Sequence, residues 1–304
     1  MTSRIAAHGT CLVLLALFST AAKAQSAAPR DYLLGPVGSG SSRLFLDYIY
    51  SGSETTASSN LPLPNNEALS QTGVATVLFP FAMWDHYFAV SASGGGATVK
   101  AINPSAGTET SSSGFIDPSM TFHTNFFGGP ALTAEQFASF VPVNFASFHL
   151  TVNAPLGSYD ANAPVNVGSN RWAFTPVVNL SLTPDEGVSW VEFYAGGRFF
   201  TSNDTYKSNS KLTQDPLGIF TVHYSHNIGQ YIWAGVGFYY DSGGETFING
   251  IPQHNAAKGI RPSATISGRI GSYRLTLRYD NTASTPNADP ASGLISLRLS
   301  APLF

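Results

Sequence analysis

Most of the sequence from Arg43 onward consists of short segments in which apolar and polar side chains alternate. Residues 147–154, 172–182 and 272–280 show this alternation most clearly. A period of two places successive side chains on opposite faces of a β-strand, whereas an amphipathic helix repeats about every 3.6 residues. The alternation therefore predicts an all-β fold. Twelve such segments are separated by clusters of Gly, Pro, Asn and Ser, and they cover residues 42–51, 72–82, 86–92, 117–126, 144–155, 171–182, 188–200, 216–227, 231–241, 260–269, 272–280 and 293–303.

The connections between the predicted strands alternate between long and short. Those at 83–85, 183–187, 228–230 and 270–271 are short, and the connection 127–143 is the one long segment where a short turn is expected. Up-and-down barrels of the bacterial outer membrane have short periplasmic turns and longer outer loops. The pattern predicts an antiparallel up-and-down transmembrane β-barrel of about 12 strands, with both termini in the periplasm.

One short helix is predicted within the connection 127–143, on the periplasmic side. Thr133 is a suitable N-cap, and Glu135 and Gln136 lie in the first turn that would follow it. Phe137, Phe140 and Val141 form an apolar stripe at helical spacing.

A secreted soluble β-sandwich would also show alternating apolar and polar residues. The placement of the charged residues favours a barrel instead. Charged residues make up 11% of the chain, whereas an average soluble domain has about 25%. Eight arginines in or beside predicted strands all lie on the face opposite the more apolar one; they are Arg43, Arg171, Arg198, Arg261, Arg269, Arg274, Arg278 and Arg298. Arginine facing lipid costs about 2–4 kcal/mol at the bilayer midplane, whereas a watery lumen accepts it. This face, which also carries Asp47, Glu192, Asp241 and Asp280, is therefore predicted to line the lumen.

The first 24 residues have the features of a cleaved secretory signal peptide. Arg4 provides the positive region, residues 11–18 the apolar core, and Ala22-Lys23-Ala24 a small-residue cleavage site. We therefore expect a barrel domain at 25–304, exported to the bacterial outer membrane. The single cysteine, Cys11, lies in the signal peptide, so disulfides and cysteine-based metal sites are not expected. Residues 25–42 are too few to predict a folded plug domain.

The charge balance and the C-terminus indicate which partners to expect. The formal net charge is −3 and there is no basic run, so nucleic acid is not an expected partner. No metal or cofactor motif is present, and none is predicted. An amphipathic segment begins at Ile295 and closes on the terminal Phe304, which is typical of strands that the barrel assembly machinery recognises. Outer-membrane lipids and small organic solutes are the other expected partners, and the oligomeric state is left open.

A series of motifs follows in order along the chain, at 127–137 (FGGPALTAEQF), 153–159 (NAPLGSY), 168–176 (GSNRWAFTP), 199–204 (FFTSND), 214–216 (QDP) and 243–250 (GGETFING). Together these motifs resemble the outer-membrane transporter family of the phenol degradation meta-pathway type. The resemblance implies an outer-membrane β-barrel that passes small hydrophobic, often aromatic, compounds. Residues 281–292 diverge from the pattern expected of the family.

Several of these motifs fall at the predicted outer mouth of the barrel. We predict that Arg171, Arg198, Asp204 and Asp215 form a charged, hydrogen-bonded ring there, which constricts the pore or captures solute. The alternative is that these residues only pin the loops at the rim. Glu192, Arg261 and Arg278 are further candidates for the pore lining.

Aromatic residues are also predicted to face the lumen, where they would provide a path for aromatic solutes. The candidates are Trp190, Tyr194, Phe200 and Trp233, followed by Tyr231 and Tyr239. The alternative is that they belong to the aromatic girdles at the membrane boundaries and face outward.

An enzymatic alternative is a lipid-modifying, phospholipase-like barrel. His223 and Ser225 lie two residues apart on one face of a predicted strand, a spacing that a Ser–His pair can use. No orienting third group or oxyanion site is recognisable in the sequence. The sequence therefore favours a non-enzymatic channel for passive uptake, with the lipid enzyme and a purely structural barrel as alternatives.

Overall fold

The computed structural model describes residues 27–38, 40–55, 66–103, 107–282 and 291–303. The chain contains a single short helix among these residues, α1 (Ala134–Ala138), and is otherwise built from strands. In chain order the strands are β1 (Arg43–Thr55), β2 (Asn66–Met83), β3 (His86–Asn103), β4 (Thr108–Phe115), β5 (Ser119–Phe127), β6 (Phe145–Asn153), β7 (Ala173–Leu182), β8 (Ser189–Phe200), β9 (Asn203–Tyr206), β10 (Ser210–Gln214), β11 (Leu217–Ile228), β12 (Ile232–Gly243), β13 (Thr246–Ile248), β14 (Ile251–Pro252), β15 (Ala257–Ile270), β16 (Tyr273–Thr282) and β17 (Ala291–Pro302).

The main sheet closes on itself to form a barrel. Each strand pairs antiparallel with the next, and β17 returns to pair with β1, where Asp47 lies opposite Arg298. β4 and β5 pair with successive stretches of β3 and are separated only by residues 116–118, so together they form one strand of the wall. The barrel therefore has twelve antiparallel strands, and the predicted fold class is confirmed.

All twelve predicted segments coincide with strands of the wall, but three of them were predicted too short, since β4, which precedes the fourth segment, also lies in a predicted loop. β2 and β3 extend over 18 residues each, into segments that the sequence predicts as loops. These extensions are rich in Ser, Thr and Gly and lack clear alternation, yet their backbones pair without interruption. At Gly95 an added Cβ would overlap the carbonyl oxygen of Gly73 on the paired strand, so the close approach requires glycine there.

The two ends of the barrel differ. Four strand connections at one end, which we call the turn end, are tight, and both β1 and β17 meet this end. The helix α1 also lies at the turn end, and Thr133 and Gln136 cap it reciprocally as predicted. No residue of α1 is buried, so its apolar side chains do not pack into a core. The opposite, loop end carries a second small sheet in the order β14-β13-β10-β9, which the sequence did not predict because its strands are too short to show a period.

The polarity of the barrel is the reverse of that in a soluble β-sandwich, whose apolar faces pack together. Outward-facing side chains are large and apolar; they include Leu46, Phe79, Phe174, Val178, Phe220, Val236, Phe238, Ile266, Leu277 and Leu297. Inward-facing side chains are mostly polar and buried; they include Asn179, Ser181, Glu192, Thr221, His223 and Ser225. Within the described ranges, no helix is long and apolar enough to cross a membrane.

The sequence predicts no folded plug domain before β1, and it does not indicate that these residues enter the lumen. Residues 27–38, the N-terminal segment, lie inside the barrel and contact its inner wall. Among the described residues, the segment forms no helix or strand, and its one β-bridge to another segment joins Val37 to Thr133. The predicted signal peptide and the terminal Phe304 lie outside the described residues.

The outward face yields a test of lipid contact. Leu277 is 45% exposed in the middle of β16, whereas Ile270 is 71% exposed beside the turn that precedes it. Leu277→Arg is expected to lower the free energy of unfolding by about 2–4 kcal/mol, and Ile270→Arg by about 0–1 kcal/mol, because the cost of a charge falls towards the bilayer surface. Equilibrium urea unfolding in lipid vesicles measures both values. Equal effects at the two positions would contradict a lipid-facing wall.

Candidate functional site

The N-terminal segment enters the lumen at the turn end, beside α1. The backbone amide of Val37 donates to the carbonyl of Leu132 at 2.8 Å. Val37 is buried against Tyr87 and Ala89, and the side chain of Leu34 packs on the same cluster. This small apolar contact fixes the base of the segment to the wall.

Further along the segment, Tyr32 lies against two histidines of the wall. Its ring centroid is 3.7 Å from that of His149 and 5.7 Å from that of His123, and the two histidine rings are 4.2 Å apart. β5 and β6 bring these histidines together because His123 and His149 are directly paired in the sheet register. Neither histidine was predicted as a site residue, although each occupies a polar, inward position of a predicted strand.

Arg30 makes the most extensive set of polar contacts in the segment. Its Nε donates to Ser225 Oγ at 2.7 Å and its Nη1 to Asn227 Oδ1 at 2.6 Å. Its backbone amide donates to Glu192 Oε2 at 2.9 Å, and its guanidinium lies 4.9 Å from the ring of Trp233. The other carboxylate oxygen of Glu192 accepts from the Tyr194 hydroxyl at 2.7 Å. Four side chains of the wall are thus engaged directly by one residue of the segment.

Two further residues of the segment, Asp31 and Ala27, are also attached to the wall. The Asp31 carboxylate accepts from Arg298 Nη1 at 2.5 Å, and Arg298 Nε donates to Asp47 at 2.7 Å. The carbonyl oxygen of Ala27 accepts from His223 Nε2 at 3.0 Å and from the Tyr239 hydroxyl at 3.1 Å. These bonds satisfy inward polar groups of several strands, so the segment is held inside the lumen by polar contacts.

The predicted Ser–His pair is accounted for by the same contacts. His223 and Ser225 both face the lumen and are fully buried, as their spacing predicts. Each binds the N-terminal segment, His223 through Ala27 and Ser225 through Arg30. In this arrangement Ser225 Oγ accepts from a guanidinium and is not held by the histidine as a nucleophile would be.

A second cluster, which we call the mouth cluster, lies towards the loop end and consists of Arg171, Arg198, Phe200, Gln214 and Asn153. The guanidinium carbons of Arg171 and Arg198 lie 4.6 Å and 5.6 Å from the centroid of the Phe200 ring. Arg171 Nη2 donates to Gln214 Oε1 at 2.5 Å, and Arg198 Nη2 donates to Asn153 Oδ1 at 3.3 Å. Both arginines are 8% exposed, so two cations are buried around one aromatic ring.

The loops bring the motifs of the predicted mouth together, but not the predicted ring. Asn170 Nδ2 donates to Asn203 Oδ1 at 3.0 Å, and Gln214 Nε2 donates to the carbonyl of Gly244 at 2.7 Å. Asp204 instead forms an exposed ion pair with Lys211 at 3.0 Å. The hydrogen bond from Lys211 lowers the pKa of the Asp204 carboxyl.

Asp215, the other predicted acidic member of the ring, is also exposed and does not contact Arg171. The alternation of inward and outward side chains along the wall does not continue into β9, where Asn203 is buried and Asp204 is exposed. The acids of the predicted ring are therefore not part of the mouth cluster.

The remaining pore candidates lie on the inner wall. Arg261 Nη2 pairs with Asp241 at 2.8 Å and Arg278 Nη2 with Asp280 at 3.1 Å, and all four residues are buried. Both guanidinium carbons lie within 5.6 Å of the centroid of the Tyr239 ring. This paired wall differs from the mouth cluster, where Arg171 donates to a neutral amide.

The predicted lumen aromatics have inward positions with one exception. Trp190, Tyr194, Trp233 and Tyr239 are buried inside the barrel, and Phe200 is partly buried in the mouth cluster. Tyr231 is 57% exposed next to the turn before β12. Its outward position follows from the register, in which Ile228 pairs with Ile232 and leaves Tyr231 in the turn.

Comparison with known proteins places the barrel among outer-membrane structures. A family model described as "Putative MetA-pathway of phenol degradation" matches residues 47–299. The structure of the COG4313 outer membrane channel from Pseudomonas putida F1 is 16% identical, with a TM-score of 0.78, and the match covers 91% of this chain and 99% of that one.

Two autotransporter barrels are less similar. The transport unit of AIDA-I from Escherichia coli is 9% identical with a TM-score of 0.52, covering 93% of this chain and 95% of that one. The translocator domain of NalP from Neisseria meningitidis is 11% identical with a TM-score of 0.50, covering 95% and 98%. At these identities the likenesses show the fold. No curated protein matches the chain.

The contrast between buried and exposed ion pairs is testable. Asp241→Asn is expected to lower the free energy of unfolding by about 3–5 kcal/mol, because it leaves the buried Arg261 charge without its partner. Asp204→Asn breaks the exposed pair with Lys211 and is expected to cost about 0–1 kcal/mol. Denaturant unfolding of the two variants in the same vesicles provides the comparison. A loss for Asp241→Asn as small as that for Asp204→Asn would contradict a desolvated pair in the wall.

Proposed function

Because the chain belongs to the family described as the putative MetA-pathway of phenol degradation, we propose that it is an outer-membrane channel for passive uptake of small hydrophobic or aromatic solutes. The observation that carries the proposal is a closed barrel with an apolar outer face, a polar inner face and a segment of its own chain hydrogen-bonded in the lumen. The similar COG4313 structure, itself an outer membrane channel, supports the same class of function. Residues 1–24 would direct export and would be removed.

The contacts of the N-terminal segment support a resting closed state. The segment is attached through hydrogen bonds and ring contacts, and it shares no extended strand pairing with the wall. Each contact exchanges for contacts with water at a cost of about 0.5–1.5 kcal/mol for a neutral hydrogen bond and about 1.5–3 kcal/mol for one to a charged group, and none of them belongs to the strand pairing of the barrel. Displacement of the segment therefore opens the lumen without unfolding the barrel.

The inner aromatics support the solute class. Tyr194, Trp233 and Tyr239 line the space that the segment occupies, and their rings already contact Tyr32, Arg30 or His223. Once the segment leaves, these ring faces are available to stack against an aromatic solute, a contact worth about 0.5–1.5 kcal/mol beyond the buried area. The polar groups between them accept or donate hydrogen bonds to a hydroxyl.

The proposal predicts that weakening the attachment opens the channel. The double variant Arg30→Ala/Tyr32→Ala removes the guanidinium and ring contacts of the segment. It is expected to increase conductance by about tenfold, because a loss of about 1.4 kcal/mol in attachment shifts the closed-to-open equilibrium tenfold. Single-channel recording in planar bilayers measures it, with phenolic and alkane solutes titrated as blockers.

Tyr231→Ala is the matched control, because Tyr231 is exposed outside the lumen. It is expected to conduct like the wild type. A folded double variant that stays silent, or that is blocked by neither solute class, would contradict the proposal.

A further inference from the structure

Among the described residues, Arg171 of the mouth cluster differs from the arginines of the inner wall in its hydrogen-bond partner. Arg261, Arg278 and Arg298 each pair with a carboxylate in the inner wall. Arg171 is buried to a similar degree but donates to the neutral side chain of Gln214. Its other terminal nitrogen, Nη1, is buried and has no hydrogen-bond partner among the described residues. A buried donor on a charged group that lacks an acceptor is costly, and an incoming anion would relieve this cost.

The nearest acid does not serve as the missing acceptor. Asp117 affects Arg171 and Arg198 electrostatically. Its carboxylate oxygens accept from the backbone amides of Gly157 and Ser169 at 2.9 Å and 2.8 Å, and from the Ser169 hydroxyl at 2.5 Å. Asp117 is thus occupied in holding the loop between β6 and β7 against the wall.

Gln214 occupies the position that a ligand oxygen would take. Its Oε1 accepts from Arg171 Nη2, while its Nε2 is held by the Gly244 carbonyl of the next loop. The amide therefore presents one oxygen to a guanidinium whose planar fork accommodates two. A carboxylate can replace this oxygen and bond Nη1 as well, and Gln214 can then rotate away with its loop.

We propose that Arg171 and Arg198 form a binding site for the carboxylate of an aromatic organic acid, with Phe200 stacking on its ring and Gln214 as the placeholder in the resting state. Guanidinium groups are suited to bidentate carboxylate recognition, and the adjacent Phe200 face provides the aromatic contact. The inference rests on the proposed function, because it names a solute class that the channel would select at its loop end.

The test measures equilibrium binding of benzoate to the full-length protein in detergent by isothermal titration calorimetry. Benzyl alcohol serves as the neutral analogue of the same size, and acetate as the anion without a ring. Benzoate is expected to bind at least about tenfold more tightly than either, the amount that one charge-assisted hydrogen bond or aromatic contact accounts for.

Two variants at Gln214 separate the placeholder role from a general structural one. Gln214→Glu places a carboxylate permanently on Arg171 and is expected to lower benzoate affinity by about tenfold or more. Gln214→Ala removes the competing amide and is expected to bind benzoate at least as tightly as the wild type. Arg171→Gln is expected to lose binding, whereas Arg269→Gln, at the exposed turn between β15 and β16, is expected to retain it. Heat-modifiable gel migration confirms that each variant has folded.

Several outcomes would overturn the inference. They are a folded wild type that does not bind benzoate, equal binding of benzyl alcohol or acetate, and undiminished benzoate binding in both Arg171→Gln and Gln214→Glu. Calorimetry reports binding without flux. A channel that conducts but fails this test therefore refutes the carboxylate site alone, and a barrel that binds benzoate but never conducts refutes the proposed function.

Discussion

The pairing of β17 with β1 is the interaction on which the rest of the molecule depends. An open sheet leaves two edges of unpaired backbone groups, and hydrocarbon offers no water to satisfy them. Closing the sheet pairs those edges and divides every strand into an inward and an outward face. The apolar side chains are then directed to the outside, and the polar ones, including the arginines, are confined to a narrow interior.

Because the polar side chains are confined to the narrow interior, they need hydrogen-bond partners there. Twelve strands enclose a space small enough for opposite walls to be bridged by a single extended segment. Residues 27–38 use this space, and Glu192, Ser225, His223 and Tyr239 obtain hydrogen-bond partners from them. Under the proposed function the same contacts also hold the channel closed, so one set of hydrogen bonds would serve both the inner wall and permeation. At the loop end, by contrast, the side-chain partner of Arg171 within the described part of the chain is the neutral Gln214.

The fold was predictable because closure and alternation leave a periodic signal. The inward positions of Arg261 and Arg278 followed directly from it, as did those of Trp190 and Trp233. The N-terminal segment shows no periodic alternation of apolar and polar residues. Nothing in the sequence around Tyr32 therefore indicates that its ring packs against His149 inside the barrel. The mouth cluster was predicted in part. The alternation along β8 directs Arg198 inward, and Arg171 and Arg198 both lie against Phe200. Asp204 lies in β9 of the small sheet at the loop end, where the inward and outward alternation of the barrel strands does not continue, and its side chain is exposed.

Hydrogen exchange of the backbone amides of Arg30 and Val37, in the folded protein in lipid nanodiscs, tests most directly whether the N-terminal segment holds the channel closed. The Arg30 amide donates to Glu192 of the wall and the Val37 amide to Leu132 beside α1, which protects both amides while the segment is in the lumen. The account predicts slow exchange at both positions in the wild type. It also predicts that, in variants that open more often, exchange at Arg30 rises in proportion to the open probability measured in bilayers. Fast exchange at Arg30 in a channel that remains closed would contradict it.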